Sequence, residues 1–134
     1  MAAFDEMANQ GLDRDFPYLR EDHWTGYAAT WLALGEPSKA KAEIERLRSL
    51  LRESDASQLL PAKLDCFDAE LALAGADTGA ARSLAQRCRD RYAAVLPAAS
   101  PLLAWSDRLL AKTAAATSIA AKAGIKPDAP TAAP

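Results

Sequence analysis

The chain reads as an all-α protein of antiparallel helix hairpins, and three observations predict it. The phrase Leu34-Gly35-Glu36-Pro37-Ser38-Lys39-Ala40 is echoed forty residues on by Ala74-Gly75-Ala76-Asp77-Thr78-Gly79-Ala80, each time as a helical run, a Gly, a short polar connection and an Ala opening the next run. Apolar residues recur at i, i+3, i+4 and i+7 along most of the chain. Half of the 134 residues are hydrophobic but only 7% are aromatic, a composition suited to helices packed through small side chains. Self-similarity at such a period is the mark of stacked repeats, which predict a binding scaffold before any chemistry.

Residues 1–12 carry Phe4, Met7 and Ala8 at helical spacing, closed by Gly11. The stretch from Asp13 to Glu21, which contains Pro17, suits a connection, and Asp22 is placed to cap a helix beginning at His23. Trp24, Tyr27, Ala28, Trp31 and Leu34 stripe that helix, and Gly35 ends it. Pro37 fits the first turn of the next, where its missing N–H is not needed. Its inward set is Ala40, Ile44, Leu47, Leu50 and Leu51, and with the preceding helix it makes a first repeat over 22–53.

A second repeat is expected over 57–95. Its first helix runs from near Ser57 to Ala74 with Leu60, Leu64, Phe67 and Leu71 inward, and Pro61 confined to the first turn. Asp77 caps its second helix, which buries Ala81, Leu84, Cys88, Tyr92 and Val95. Ser100-Pro101 opens a closing helix over 100–123, with Leu102, Trp105, Leu109 and Leu110 on one face. The segment 124–134, with three prolines and one large apolar residue, predicts a disordered tail.

Superposed at an offset of forty, Trp24 meets Leu64, Tyr27 meets Phe67, Trp31 meets Leu71, Gly35 meets Gly75, Ala40 meets Ala80 and Ile44 meets Leu84. This pattern resembles the tetratricopeptide repeat (TPR): Trp24-x2-Tyr27-Ala28-x2-Trp31 then Ala40-x3-Ile44, and Leu64-x2-Phe67-Asp68-x2-Leu71 then Ala80-x3-Leu84. It departs from the family in placing Ala28 and Asp68 where a Gly is usual, and in a period about six residues longer than usual. Ser100-Pro101-Leu102, followed by Trp105 and Arg108, is similar to the last helix of repeat arrays that close bacterial Ser/Thr kinases and winged-helix regulators. The resemblance implies a short TPR-like superhelix of about six helices, in which the first helix of each repeat lines a groove. Carried onto this chain, the lining residues are Thr25, Ala29, Leu32, Asp65, Ala69 and Ala72. A groove with so few donors suits an apolar or helical protein segment. Because the first helix looks like half of a preceding repeat, the chain is expected to be part of a longer array, and self-association through that half-repeat is the alternative function.

Catalysis is not expected. His23 beside Asp22 reads as a capping or surface residue, without a nucleophile elbow, phosphate loop or zinc helix around it. Asp65, Asp68 and Glu70 read as solvated or ion-paired with Lys63 or Arg82. Trp24, Trp31 and Trp105 read as core. Cys66 and Cys88, with no CxxC spacing, read as small packed hydrophobes rather than a disulfide or zinc pair, so no metal or cofactor is expected. A net charge of −2 and dispersed basic residues give no electrostatic reason for nucleic acid or an anionic membrane, and Lys39/Glu43 and Lys41/Glu45 are spaced as helical ion pairs. No run of about eighteen apolar residues exists to span a bilayer, and no secretory leader pattern opens the chain. Together these predict a cytoplasmic protein.

Overall fold

The computed structural model describes residues 17–53 and 56–122, and among them every regular element is a helix. They are α1 (Pro17–Ala33), α2 (Pro37–Arg52), α3 (Leu60–Ala74), α4 (Thr78–Ala93) and α5 (Pro101–Lys122). The expected first helix over 1–12 and the tail over 124–134 lie outside the described residues. The chain divides into two compact units, one ending at Leu60 and one beginning at Pro61.

In the first unit α1 packs against α2. Helix α1 begins earlier than its sequence suggests. Pro17 is its first residue rather than part of a connection, and Asp22 is an exposed interior position rather than a cap. The physical reason is that Pro is preorganised for a first helical turn and nothing from Tyr18 to Asp22 opposes helix. The seam with α2 is built from Tyr27 and Ala28 on α1 and from Ala40, Ile44, Leu47 and Leu50 on α2, the last four fully covered. Each large aliphatic chain there contributes about 1.5–3 kcal/mol of burial. Trp24 and Trp31 are only partly covered. The Lys39 ammonium lies 4.6 Å from the Trp31 ring centroid, tying the first turn of α2 to the last of α1. On the outer face of α2 the ion pairs are Glu43–Arg46 (3.3 Å) and Glu45–Arg48 (3.2 Å), not the lysine pairs expected.

In the second unit α3 is joined to α4, α4 packs against α5, and α3 meets α5 where Phe67 and Trp105 make an edge-on contact at 5.1 Å. Leu64, Cys66, Phe67, Ala69, Ala81, Ala85, Cys88, Tyr92, Leu103, Ser106, Leu109 and Thr113 form its interior. Asp77 accepts a hydrogen bond from the Ala80 N–H (3.1 Å) as the expected cap of α4, and the Ser100 hydroxyl oxygen accepts from the Leu102 N–H (3.2 Å) at the start of α5.

Both hairpin turns close in the same way, and they fix the repeat at forty-one residues rather than forty. In the first, the Gly35 N–H donates to the Leu32 carbonyl (3.1 Å) and the Glu36 N–H to the Trp31 carbonyl (2.8 Å). In the second, the Ala76 N–H donates to Leu73 (3.0 Å) and the Asp77 N–H to Ala72 (2.8 Å). This is the Schellman pattern, with its left-handed residue at Gly35 (φ +73°) in one copy and at Ala76 (φ +61°) in the other. The helix ends agree: Ala33 with Ala74 and Pro37 with Thr78. So does the seam, because Ala28/Ala69, Ala40/Ala81, Ile44/Ala85 and Leu47/Cys88 are all fully covered. The pairing of Gly35 with Gly75, Ala40 with Ala80, Ile44 with Leu84 and Ala28 with Asp68 is therefore corrected by one residue. The start signals Pro37 and Asp77 set where each second helix begins, and the left-handed residue must fall just before that cap whatever its identity.

Candidate binding surface

Helix α1 keeps the expected strip in view. Ala29 is exposed, Thr25 and Leu32 are partly exposed, and their spacing of four and three sets them on one face. Trp31, at helical spacing from the seam residues Tyr27 and Ala28, is partly covered, and Leu34 is 65% exposed. Leu34 was expected inward, but it lies beyond the helix end in the turn, where the 3.6-residue phase no longer applies. The Thr25 hydroxyl oxygen is covered and has no hydrogen-bond partner among the described residues, so Thr25 adds no open donor.

The expected lining residues of α3 behave differently. Ala69 is fully covered in the seam, and Asp65 is only 5% exposed. One Asp65 carboxylate oxygen accepts from Arg87 Nη2 at 2.8 Å, and the other lies 3.2 Å from Arg91 Nε, so its charge is met by two arginines one turn apart on α4. Hydrogen bonding to Asp65 raises the Arg87 pKa above its ordinary value. Neither Lys63 nor Arg82 is the partner of Asp65. Ala72 alone of the α3 set is partly open. With the forty-one-residue register, the α3 residues equivalent to Thr25, Ala29 and Leu32 are Cys66, Glu70 and Leu73. Cys66 is bonded to Cys88, and Glu70 is half-covered. Desolvation raises the Glu70 pKa above 4.5, against the lowering influence of Lys112, the Trp105 hydrogen bond and Arg108.

His23 is neither a cap nor a surface residue. It is 3% exposed within α1 and stacks on Tyr27 with ring centroids 5.1 Å apart. Glu21, also 3% exposed, accepts from the Ser57 N–H (2.7 Å) and the Ser57 hydroxyl (2.6 Å), holding the segment that leads into α3. That link spans thirty-six positions and has no local signal in the sequence. On α4, Arg82, Ser83, Gln86, Arg87 and Asp90 line an open groove of about 530 Å³. Its polar groups are partly engaged with each other and with α3, since Gln86 donates to Asp90 (3.0 Å) and Arg87 to Asp65.

The Cys66–Cys88 disulfide corrects the reading of both residues as free, packed thiols. Their Cα atoms are 5.5 Å apart across the α3–α4 seam. The signal was the distance of each cysteine from the turn, which sets them opposite one another once the helices fold back. No cluster of His, Cys, Asp and Glu suited to a metal occurs among the described residues, and no described helix is long and apolar enough to cross a membrane. In comparisons with protein families, curated proteins and solved structures, nothing matches this chain.

Proposed function

We propose that this chain is a non-catalytic, TPR-like scaffold whose α1 takes an apolar or amphipathic segment of a partner protein. One observation carries the reading: α1 spends one apolar face on α2 yet leaves a second, made of Ala29 and Leu32 with Thr25 at its edge, partly or fully open. The equal turns and seams of the two hairpins support a repeat array in the manner of tetratricopeptide proteins, including those that close bacterial signalling proteins. A helix with no exposed charge between Thr25 and Glu36 would read a partner through shape and apolar area, and would select a helical segment by its i, i+3, i+4 and i+7 anchors.

The test is selection of helical peptides from a displayed library against the full chain, followed by titration against Ala29→Arg and Leu32→Arg. Both variants are expected to weaken binding at least about tenfold, the scale of one buried apolar anchor. Affinity unchanged in both would remove the α1 strip. A second reading, self-association without a peptide ligand, draws on Ile119, 68% exposed near the end of α5. Sedimentation separates the two, since a dimer broken by Ile119→Asp supports self-association and a monomer at high concentration dismisses it.

A further inference from the structure

The two hairpins have equivalent seams that differ in side-chain bulk. Where the first places Ile44 and Leu47, the second places Ala85 and Cys88, so the second has less side-chain bulk at the same two fully covered positions. At the position matching Leu47 the second hairpin has Cys88, bonded to Cys66, where the first has no such link between its helices' equivalent residues, Thr25 and Leu47. A covalent bond thus stands where the second seam is thinnest.

The surroundings of the sulfurs bear on what the bond is for. Reactive cysteines sit beside uncompensated positive charge and within reach of solvent. Here both cysteines are completely covered. The guanidiniums of Arg87, the residue before Cys88, and of Arg91, three residues after it, are held by Asp65, the residue preceding Cys66. That carboxylate meets one of their two positive charges, and burial of the sulfurs raises the cost of a thiolate. An attacking thiol has no path to either sulfur unless α3 and α4 part.

We propose that the chain is oxidised during folding in a thiol-oxidising compartment, and that the bond then persists as a structural staple rather than a redox switch. The oxidant is a disulfide-carrying protein or small molecule. One cysteine thiolate attacks its disulfide, forming a mixed disulfide and releasing one oxidant thiolate. The second cysteine thiolate then attacks the protein sulfur of that mixed disulfide and releases the other. Two protons leave the cysteines, two electrons reduce the oxidant to its dithiol, and one S–S bond is gained by the chain for the one lost. Disulfides of this kind persist outside reducing cytosol, so the proposal sets an oxidising location against the expected cytoplasm.

Thiol trapping in the native cells tests the location. Cells are quenched in acid, and the full chain is alkylated with a polyethylene-glycol maleimide before and after reduction. No adduct before reduction and two after are expected; two adducts before reduction would overturn the proposal. Accessibility is tested on the purified oxidised chain with dithiothreitol. Reduction is expected to run about a hundredfold or more slower in native buffer than in unfolding urea, because the hairpin must open first. Equal rates in the two solutions would overturn the buried staple.

Discussion

The left-handed residue of each hairpin turn gives a direct test of the register, because the two copies solve the same turn with different residues. Gly35 adopts φ +73° without penalty, while Ala76 adopts φ +61° and bears the clash of its Cβ with the carbonyl that follows. That conformation costs an L-residue about 1–2 kcal/mol, and Gly returns about 0.4–1 kcal/mol of it through the greater freedom of the unfolded chain. Ala76→Gly is therefore expected to stabilise by about 1 kcal/mol, and Gly35→Ala to destabilise by about the same. Sterics add nothing at Gly35, where a Cβ would meet no atom within 4 Å. Gly75 is the discriminating control. It is not left-handed, and a Cβ there would meet Leu71 and Ala72 carbonyl oxygens at 3.6 and 3.7 Å, which is ordinary contact. Gly75→Ala should be neutral or stabilising by up to about 1 kcal/mol, as for Gly to Ala in a helix. Urea unfolding followed by circular dichroism reads all three as midpoint shifts at constant slope. Loss of stability in Gly75→Ala equal to that in Gly35→Ala, with Ala76→Gly silent, would refute the forty-one-residue register and restore the forty-residue one.

Removing the disulfide with Cys66→Ala and Cys88→Ala together is expected to cost about 3 kcal/mol, the loop-closure contribution for cysteines 22 residues apart, and to abolish the response of the urea midpoint to reductant. Asp65→Asn keeps the shape but removes the charge facing Arg87 and Arg91. Because both guanidiniums are about half exposed and water can solvate them, the loss should sit near the low end of about 1–3 kcal/mol, again read in urea. Glu70, whose pKa is raised in the folded chain, binds its proton before the unfolded chain does, so stability should rise as pH falls from its folded pKa toward 4.5. Glu70→Gln should flatten that rise in urea midpoints measured across the window, and an unchanged slope would exclude Glu70 as its source.

The sequence carried the helices and their breaks because those are set locally: Pro37, Asp77 and Ser100-Pro101 each act within one turn of where they stand. It misplaced the start of α1, since Asp22 looks like a cap to any local rule while Pro17 had already begun the helix. Phase was less legible than existence. Leu51 and Val95, expected inward, are 38% and 58% exposed, and Ala85, Ser106 and Thr113, not expected, are covered. Leu51 neighbours Leu50 at about 100° around the helix, so only one of them can face the seam. Val95 lies past the end of α4, where the phase is lost. Ser106 and Thr113 donate to the Leu103 and Leu110 carbonyls, which lets polar side chains fill inward positions that a hydrophobicity pattern skips. The Glu21–Ser57 link, the Asp65 pairs and the disulfide all join residues far apart in sequence, and none has a local signature. On α1, by contrast, helical spacing set Thr25, Ala29 and Leu32 on one partly open face.

The corrected register also decides where a shared function could reside. A one-residue shift turns a helix by about 100°, so the strip matching Thr25, Ala29 and Leu32 moves on α3 from Asp65, Ala69 and Ala72 to Cys66, Glu70 and Leu73. Of these, one is bonded within the seam and one carries a half-covered carboxylate. The hairpins are thus alike where α-carbons must approach and unlike where a ligand would touch. The arginines of α4 are largely engaged, because Arg87 and Arg91 face Asp65 and Arg89 donates to Asp107 at 2.8 Å. Electrostatic recognition through α4 would have to break pairs the fold already makes, whereas apolar recognition through α1 breaks none. A partner segment is therefore expected to discriminate between the hairpins, and arginine placed at Leu73 should leave intact the binding that arginine at Ala29 removes.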